Sequence, residues 1–338
     1  MIDDRTGIRE AVVQPYRLPF RRPWRSAAGE LGYREGWILR VVDAGGQTAL
    51  GECAPLPGPG AASPEEAEGA LRLWARRLPG LSLADAWRVL DEEPTPPAAR
   101  CAVEAAILFL AARRRGLPPA RLINPGARGQ VLVNAAVGCA DTGLAARVRE
   151  AVAEGFRVQK VKVGVGNPDE ELDLLRSAAQ AGTAFRLDAN GAWDLDTARS
   201  FLAAAASLTV ESIEEPLAGA DPGHLRDLAD SSPCPIALDE SLPGFLAAGA
   251  ATELPAARIV LKPMVLGGVR PCLRLAAAAR REVVVTTSLE AAPGRWLAAH
   301  LAAALDSGLC HGLDTGRWFA EDLGPGPGVS GGTCRVFG

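Results

Sequence analysis

The feature that most limits the folds open to this chain is a repeat. From residue 131 to residue 314, short runs rich in β-branched residues alternate with Ala/Leu/Arg stretches of helical character, one pair about every 25 residues. VLVNAAVG (131–138) precedes TGLAARVREAVAEG, RVQKVKVG (157–164) precedes PDEELDLLRSAAQAG, AFRLDAN (184–190) precedes DLDTARSFLAAAAS, and VESIEEP (210–216) precedes DPGHLRDLADS. PIALDES (235–241) leads into a short Ala-rich stretch, ARIVLKP (257–263) into VRPCLRLAAAARR and EVVVTTS (282–288) into PGRWLAAHLAAALDSG, and LCHGLD closes the series. Seven strand–helix units and a last strand predict an α/β fold, a modified (β/α)7β barrel of the TIM type, over residues 126–312.

Residues 1–125 read differently and predict an α+β capping domain. IREAVVQPYRLPF and REGWILRVVDAGGQTALGE have the pattern of antiparallel strands around a GG turn. SPEEAEGALRLWARRL and PPAARCAVEAAILFLAARRRG carry helical periodicity with Ser and Pro at their starts. The Gly/Pro-rich C-terminal segment, within 313–338, is expected to return to that domain and complete it.

Five successive barrel units, the second to the sixth, place a charged residue near the C-terminal end of the strand: Lys162, Asp188, Glu214, Asp239 and Lys262, at intervals of 26, 26, 25 and 23 residues. Those strand ends converge at the mouth where barrel active sites lie. A single Lys or Asp at a strand end is ordinarily a solvated rim residue. Five in register, on segments otherwise rich in Val, Ile and Leu, point to a site. Glu214 and Glu215 face opposite ways, and Glu214 is in phase with Asp188 and Asp239.

Three carboxylates from adjacent strands make an oxygen cage suited to Mg²⁺, and the absence of His and Cys from the set argues against zinc. The lysines stand on the strands before and after, so a small-molecule carboxylate bound to the cation lies between them. Such a cation opposes the charge left when an α-proton departs, and a flanking lysine can take that proton. In VQKVKVG, Lys160 and Lys162 share one face of a strand, where an unpaired ammonium group is costly. A base must be neutral, and Lys160 supplies like charge that favours the neutral form of Lys162. Lys160 is then a tuning residue; the other reading makes it a structural ion-pair partner.

A formal charge of −4, with Lys and Arg scattered, leaves no footprint for nucleic acid or an anionic membrane. The seven cysteines include no CxxC pair, the N-terminus has no sustained apolar run, and the Ala/Leu stretches are interrupted too soon to span a bilayer. A cytoplasmic enzyme is expected, and the sequence leaves its oligomeric state open.

KVKVG, RLDANGAW, IEEP, LDES and LKPMVLGG, in that order and at those intervals, resemble the muconate-lactonizing branch of the enolase superfamily. The N-terminal module and the GECAPLPG loop extend the resemblance over nearly the whole chain. It implies Asp188, Glu214 and Asp239 as Mg²⁺ ligands, with Mn²⁺ able to substitute, and Lys162 and Lys262 as acid/base residues. Within that branch, TTSLEAAPGRWLAAHLAAAL resembles the Ser-x-Glu-x-x-x-Gly stretch of the o-succinylbenzoate synthases and HGLDTGRWFAEDL their final Gly-Leu-x-Thr segment. Arg186 matches a position where that family often has Arg, and no Asp-x-Asp motif of the dipeptide epimerases follows strand seven. Ala291 departs from the pattern, because a Ser often follows the Glu.

The implied reaction is syn-elimination of water from 2-succinyl-6-hydroxy-2,4-cyclohexadiene-1-carboxylate to o-succinylbenzoate, a step of menaquinone biosynthesis. Lys162 would remove the α-proton and then assist the departing hydroxide, with Lys262 a cation on the other face. The resemblance also implies substrate contacts for Arg186, Asn190, Ser288, Glu290 and Gly267, and cover from the Arg25–Glu30 and GECAPLPG loops. An N-acylamino acid racemase, or another racemase or cycloisomerase of the branch, is the alternative on the same residues. A catalytically silent barrel acting as a binding protein is the alternative of another class.

Overall fold

A computed structural model describes residues 2–26, 29–56, 62–179, 182–219 and 221–338. The chain opens with a three-stranded antiparallel sheet of β1 (Ile8–Ser26), β2 (Gly29–Asp43) and β3 (Thr48–Cys53). The turn from β2 to β3 uses Gly46 at φ 83°, and the Asp43 carboxylate accepts from the Gln47 N–H at 2.8 Å. Helices α1 (Pro64–Arg77), α2 (Leu83–Glu92), α3 (Pro97–Arg114) and α4 (Pro119–Ile123) follow. Ser63 caps α1 in a box with Glu66, and Ser82 caps α2 through the Asp85 N–H. Gly51 lets β3 lie directly on α3: a Cβ there would sit 1.8 Å from the Ala102 carbonyl oxygen. The sheet and helices therefore share one packed core, which is continuous with that of the barrel.

β4 (Gln130–Leu132) leads into a seven-stranded parallel sheet. Its strands are β5 (Ala135–Cys139), β6 (Val158–Lys162), β7 (Ala184–Asp188), β8 (Val210–Glu214), β9 (Ile236–Leu238), β10 (Arg258–Leu261) and β11 (Glu282–Val285), in sequence order across the sheet. Helices α5 (Leu144–Ala153), α6 (Pro168–Ala178), α7 (Leu195–Ala204), α8 (Pro222–Ser231), α9 (Leu242–Ala247), α10 (Pro263–Leu266), α11 (Val269–Ala279) and α12 (Ala292–Leu305) connect them. The sheet curls, and the segment His311–Gly312 bridges its two sides, pairing with Val133 on one and Thr286 on the other. That two-residue element is the closing strand expected from LCHGLD. The first β-rich run is two strands rather than one: β4 pairs with β13 (Thr333–Arg335), itself paired with β12 (Gly328–Ser330), and only β5 enters the parallel sheet.

The C-terminal segment touches both parts of the chain. Phe319 packs on Phe20 at 4.9 Å between ring centroids, and Trp318 meets Trp24 edge-on at 4.7 Å, while β13 stays with β4. On the opposite flank, the fully buried Glu104 of α3 accepts from the Arg270 N–H (2.8 Å), Arg270 Nε (3.0 Å) and Arg100 (2.8 Å), anchoring α3 at the start of α11. Among the described residues no helix is long and apolar enough to cross a membrane.

The closing strand gives the fold an acid-sensitive element. His311 is buried, and its Nδ1 accepts from the Val285 N–H at 3.0 Å, which requires an unprotonated nitrogen. Burial, and then the charge of Arg186, push its pKa from the ordinary 6.5 down to about 3. The unfolded chain therefore takes up this proton first, so the stabilisation is intact above about pH 6.5 and drains away as pH falls toward 3. His311→Asn keeps an acceptor near the same place but cannot titrate. The loss of unfolding free energy between pH 7 and pH 5, read from urea titrations, should be smaller in that variant by about 2 kcal/mol. Identical acid limbs would show that His311 carries none of this dependence.

Candidate active site

Lys162, Asp188 and Glu214 are the last residues of β6, β7 and β8, and lie side by side in the sheet register. Asp239 and Lys262 are the first residues past β9 and β10. The parallel strands and their common pleat phase thus set five charged side chains along one rim, and all but the half-buried Lys262 are buried. Lys160, one pleat deeper on β6, reaches up to the same level. Its Nζ lies 2.6 Å from Glu214 Oε1 and 2.9 Å from Asp188 Oδ2, and Lys162 Nζ donates to that same Asp188 oxygen at 2.8 Å. Lys262 pairs with Asp239 and stands 3.8 Å from Glu240.

Burial alone would push these groups toward their neutral forms; at Asp239 burial and the neighbouring charge of Glu240 do hold the carboxyl well above its ordinary range, whereas at Asp188, Lys160 and Lys262 the partners outweigh burial. The ammonium groups of Lys160 and Lys162 hold the Asp188 carboxyl well below the usual carboxylate range. Asp188 and Glu214 hold Lys160 protonated above its ordinary value, and Asp239 and Glu240 do the same for Lys262. Lys160 is therefore an ion-pair partner of two carboxylates and, through the shared Asp188 oxygen, a close positive neighbour of Lys162.

Glu215 takes the opposite face, as its phase requires. Its backbone turns into the left-handed region (φ 44°), and its carboxylate accepts from the Asp239 N–H (2.8 Å), the Ser241 N–H (3.2 Å) and the Ser241 hydroxyl (3.0 Å). Burial pushes its pKa up to about 7. It braces the strand end that carries Asp239.

Among the described residues no three carboxylate, imidazole or thiol groups stand close enough to hold an ion as placed. The lysine ammonium groups are seated between the carboxylates. The donors nevertheless fit a hard divalent cation: all are oxygens, they come from adjacent strands, and Glu214 Oε2 is buried with no hydrogen-bond partner. An orphaned carboxylate oxygen beside Asp188 and Asp239 is an unused acceptor of the kind a divalent cation would take.

The β1–β2 hairpin roofs one side of this rim. The Trp24 ring lies over Lys162 Nζ at 5.7 Å, within a small apolar cluster of Leu18, Phe20, Leu289, Trp318 and Phe319. Arg25 and Glu30 form an ion pair at 2.6 Å. Residues 27 and 28 of the expected covering loop, and 57 and 58 of GECAPLPG, lie outside the described residues.

The residues expected to touch substrate divide. Ser288 is buried with no partner for its hydroxyl, while its N–H donates to Glu290 Oε2 at 2.6 Å. Glu290 therefore folds back on its own loop, and burial, then the neighbouring charge of Glu52, raise its pKa to about 7. Asn190, at φ 47°, accepts from Lys162 and donates to Glu240 Oε1 at 2.9 Å, so its amide links the two lysine ends of the rim. Two of these residues are engaged elsewhere in the structure. Arg186 shares the face of Asp188 but points toward the barrel floor, where it donates to Glu211 (2.9 Å), Asn134 (3.1 Å) and the Cys310 carbonyl (2.8 Å). The guanidinium is consumed by a buried ion pair two residues below the rim. Gly267 meets α3: its carbonyl accepts from Arg100 at 2.5 Å, and a Cβ would come within 3.4 Å of that side chain. Its role is close packing of the cap. Trp24, Tyr16 and Glu52 were not singled out from the sequence, because their partners lie in the barrel or across the sheet.

Comparison with known proteins agrees with this architecture. Residues 143–336 match the family model described as "Enolase C-terminal domain-like". An o-succinylbenzoate synthase of Desulfotalea psychrophila is 28% identical, with 94% of this chain and 96% of that protein covered. A chloromuconate cycloisomerase of Cupriavidus necator is 28% identical over 90% of this chain and 86% of its own length. A solved dipeptide epimerase from Methylococcus capsulatus, complexed with Mg and the dipeptide L-Arg-D-Lys, superposes with a TM-score of 0.86 at 27% identity, covering 98% of this chain and 97% of that one.

Proposed function

The chain belongs to the enolase superfamily, and from that premise we propose that it is a magnesium-dependent dehydratase converting 2-succinyl-6-hydroxy-2,4-cyclohexadiene-1-carboxylate to o-succinylbenzoate. The observation that carries the reading is the unequal setting of the two lysines. They close opposite ends of the row Asp188, Glu214, Asp239, yet among the described residues only Lys162 lies under an aromatic ring. A one-base elimination uses the two lysines differently, whereas a two-base racemisation uses them alike.

In this reading Asp188, Glu214 and Asp239 hold Mg²⁺. The ion, when bound, supplies positive charge that opposes the negative charge growing on the substrate carboxylate. Lys162 takes the proton α to that carboxylate, and the C–H electron pair becomes the new ring π bond. The C–O bond breaks on the same face, and Lys162 returns its proton to the departing hydroxide, which leaves as water. Lys262, kept protonated by Asp239 and Glu240, is a fixed cation on the other side. Asn190 orients Lys162 through its amide oxygen, and the Trp24 cluster covers the ring and excludes water. Overall similarity to an o-succinylbenzoate synthase along almost the full length supports the same reading.

The second reading is an N-acylamino acid racemase or related epimerase, favoured by the opposed lysines and by the dipeptide epimerase superposition. Comparing kcat/KM for the cyclohexadiene acid, N-succinyl amino acids and dipeptides separates the two. The cyclohexadiene acid is expected to be the best substrate by far. Racemisation without dehydration would overturn the choice.

A further inference from the structure

The N-terminus of α12 lacks a cap of its own. Ala291 occupies the cap position, Pro293 brings no N–H, and the exposed donors are met from elsewhere in the chain. Glu52, at the end of β3, accepts from the Ala291 N–H through Oε1 and from the Gly294 N–H through Oε2, both at 2.9 Å. Asp322, from the C-terminal segment, accepts from the Ala292 N–H at 2.8 Å and pairs with Arg295. Glu52 is in turn held by the Tyr16 hydroxyl of β1 and is 1% exposed. The space is fully used: a Cβ on Gly294 would stand 3.0 Å from Glu52 Oε2.

The loop just before this helix is under strain. Leu289 sits at φ 61°, a region costly for a branched side chain, and two cap residues bracket it. Arg34 of β2 donates to the Leu289 carbonyl at 3.2 Å and to the Pro55 carbonyl at 2.8 Å, and Glu52 holds Ala291 two residues on. Between them, Leu289 joins the apolar cluster around Trp24, and Ser288 keeps its buried hydroxyl unpartnered.

We infer that Glu52 is a positioning residue of the active site: by gripping the start of α12 it holds the Ser288–Ala291 loop and the β1–β2 roof in one register over the rim. This rests on the rim being the substrate site, as proposed above. A carboxylate that only capped a helix could be replaced by a local cap; one that ties two parts of the chain together could not.

The test compares Glu52→Ala, Glu52→Gln and the double variant Glu52→Ala/Ala291→Asp. Asp at 291 can accept from the Gly294 N–H and so restores a cap within the helix itself. Glu52→Ala is expected to lower the thermal midpoint and to lower kcat/KM about tenfold or more, mainly through KM, on whichever carboxylate of the panel is turned over. Glu52→Gln, which keeps the shape and one acceptor, should be intermediate and remains informative if the Ala variant does not fold. The double variant should regain the midpoint but not KM. Amide hydrogen exchange supplies a readout independent of the reaction: in Glu52→Ala, exchange should rise in 286–294 and in β1–β2 but not in α6 or α7. Recovery of KM by the double variant, or unchanged exchange in those segments, would reduce Glu52 to a helix cap and overturn the inference.

Discussion

Lys162→Ala is expected to eliminate measurable dehydration of the cyclohexadiene acid, whereas Lys262→Arg is expected to keep part of it. Losing a general acid–base group typically costs about 10²–10⁴-fold, and in the proposed mechanism one group serves both proton removal and hydroxide departure, so the loss falls at or beyond the upper end. The fold should survive, since Lys160 still pairs with Asp188 when Lys162 is gone. In the proposed mechanism Lys262 has a different task. Its charge is held on by Asp239 and Glu240, and Arg preserves that charge but cannot serve as a base near neutral pH. Residual activity is limited by the bulk of the guanidinium. In a two-base racemase both changes would be equally harmful to interconversion, so steady-state rates of the two variants on one substrate read out the asymmetry. Wild-type dehydration by Lys162→Ala would place the base elsewhere.

The second large effect concerns the carboxylates. Asp188→Asn, Glu214→Gln and Asp239→Asn should each lower turnover by about 10³-fold or more, because a bound divalent cation contributes several kcal/mol to stabilising the developing charge. Calorimetric titration with Mg²⁺ should show one site per chain in the wild type and strongly weakened binding in each variant. Stability should separate them. Glu214→Gln leaves Lys160 paired with Asp188, but Asp188→Asn removes the charge shared by the buried Lys162 and the half-buried Lys160 and is the more destabilising change. Unaltered magnesium binding in all three variants would mean that the rim is not the metal site.

The barrel and its rim are legible in the sequence for one physical reason. Strand-end side chains share a pleat phase, so five charges in five β-branched runs recur at the repeat interval and stand out against their neighbours. Arg186, two residues before Asp188, shares its face, but pleat phase does not say which way along the barrel a long side chain turns. Glu211, near the start of β8, draws it to the floor. The break between β4 and β5 is hidden because VLVNAAV reads as one run, and only the distant β13 reveals it. Trp24 over Lys162 depends on the register of a long hairpin against the barrel, and Glu52 caps a helix from 239 residues away. Local pattern has no access to contacts of that separation.

The most direct measurement follows the wild-type protein, saturated with Mg²⁺, acting on 2-succinyl-6-hydroxy-2,4-cyclohexadiene-1-carboxylate, with products identified by nuclear magnetic resonance before and after addition of EDTA. The expected result is stoichiometric o-succinylbenzoate, formation that stops on chelation and resumes when Mg²⁺ is restored. An unchanged cyclohexadiene acid, or dehydration at full rate in EDTA, would contradict the assignment of this rim as a metal-assisted, lysine-driven elimination site.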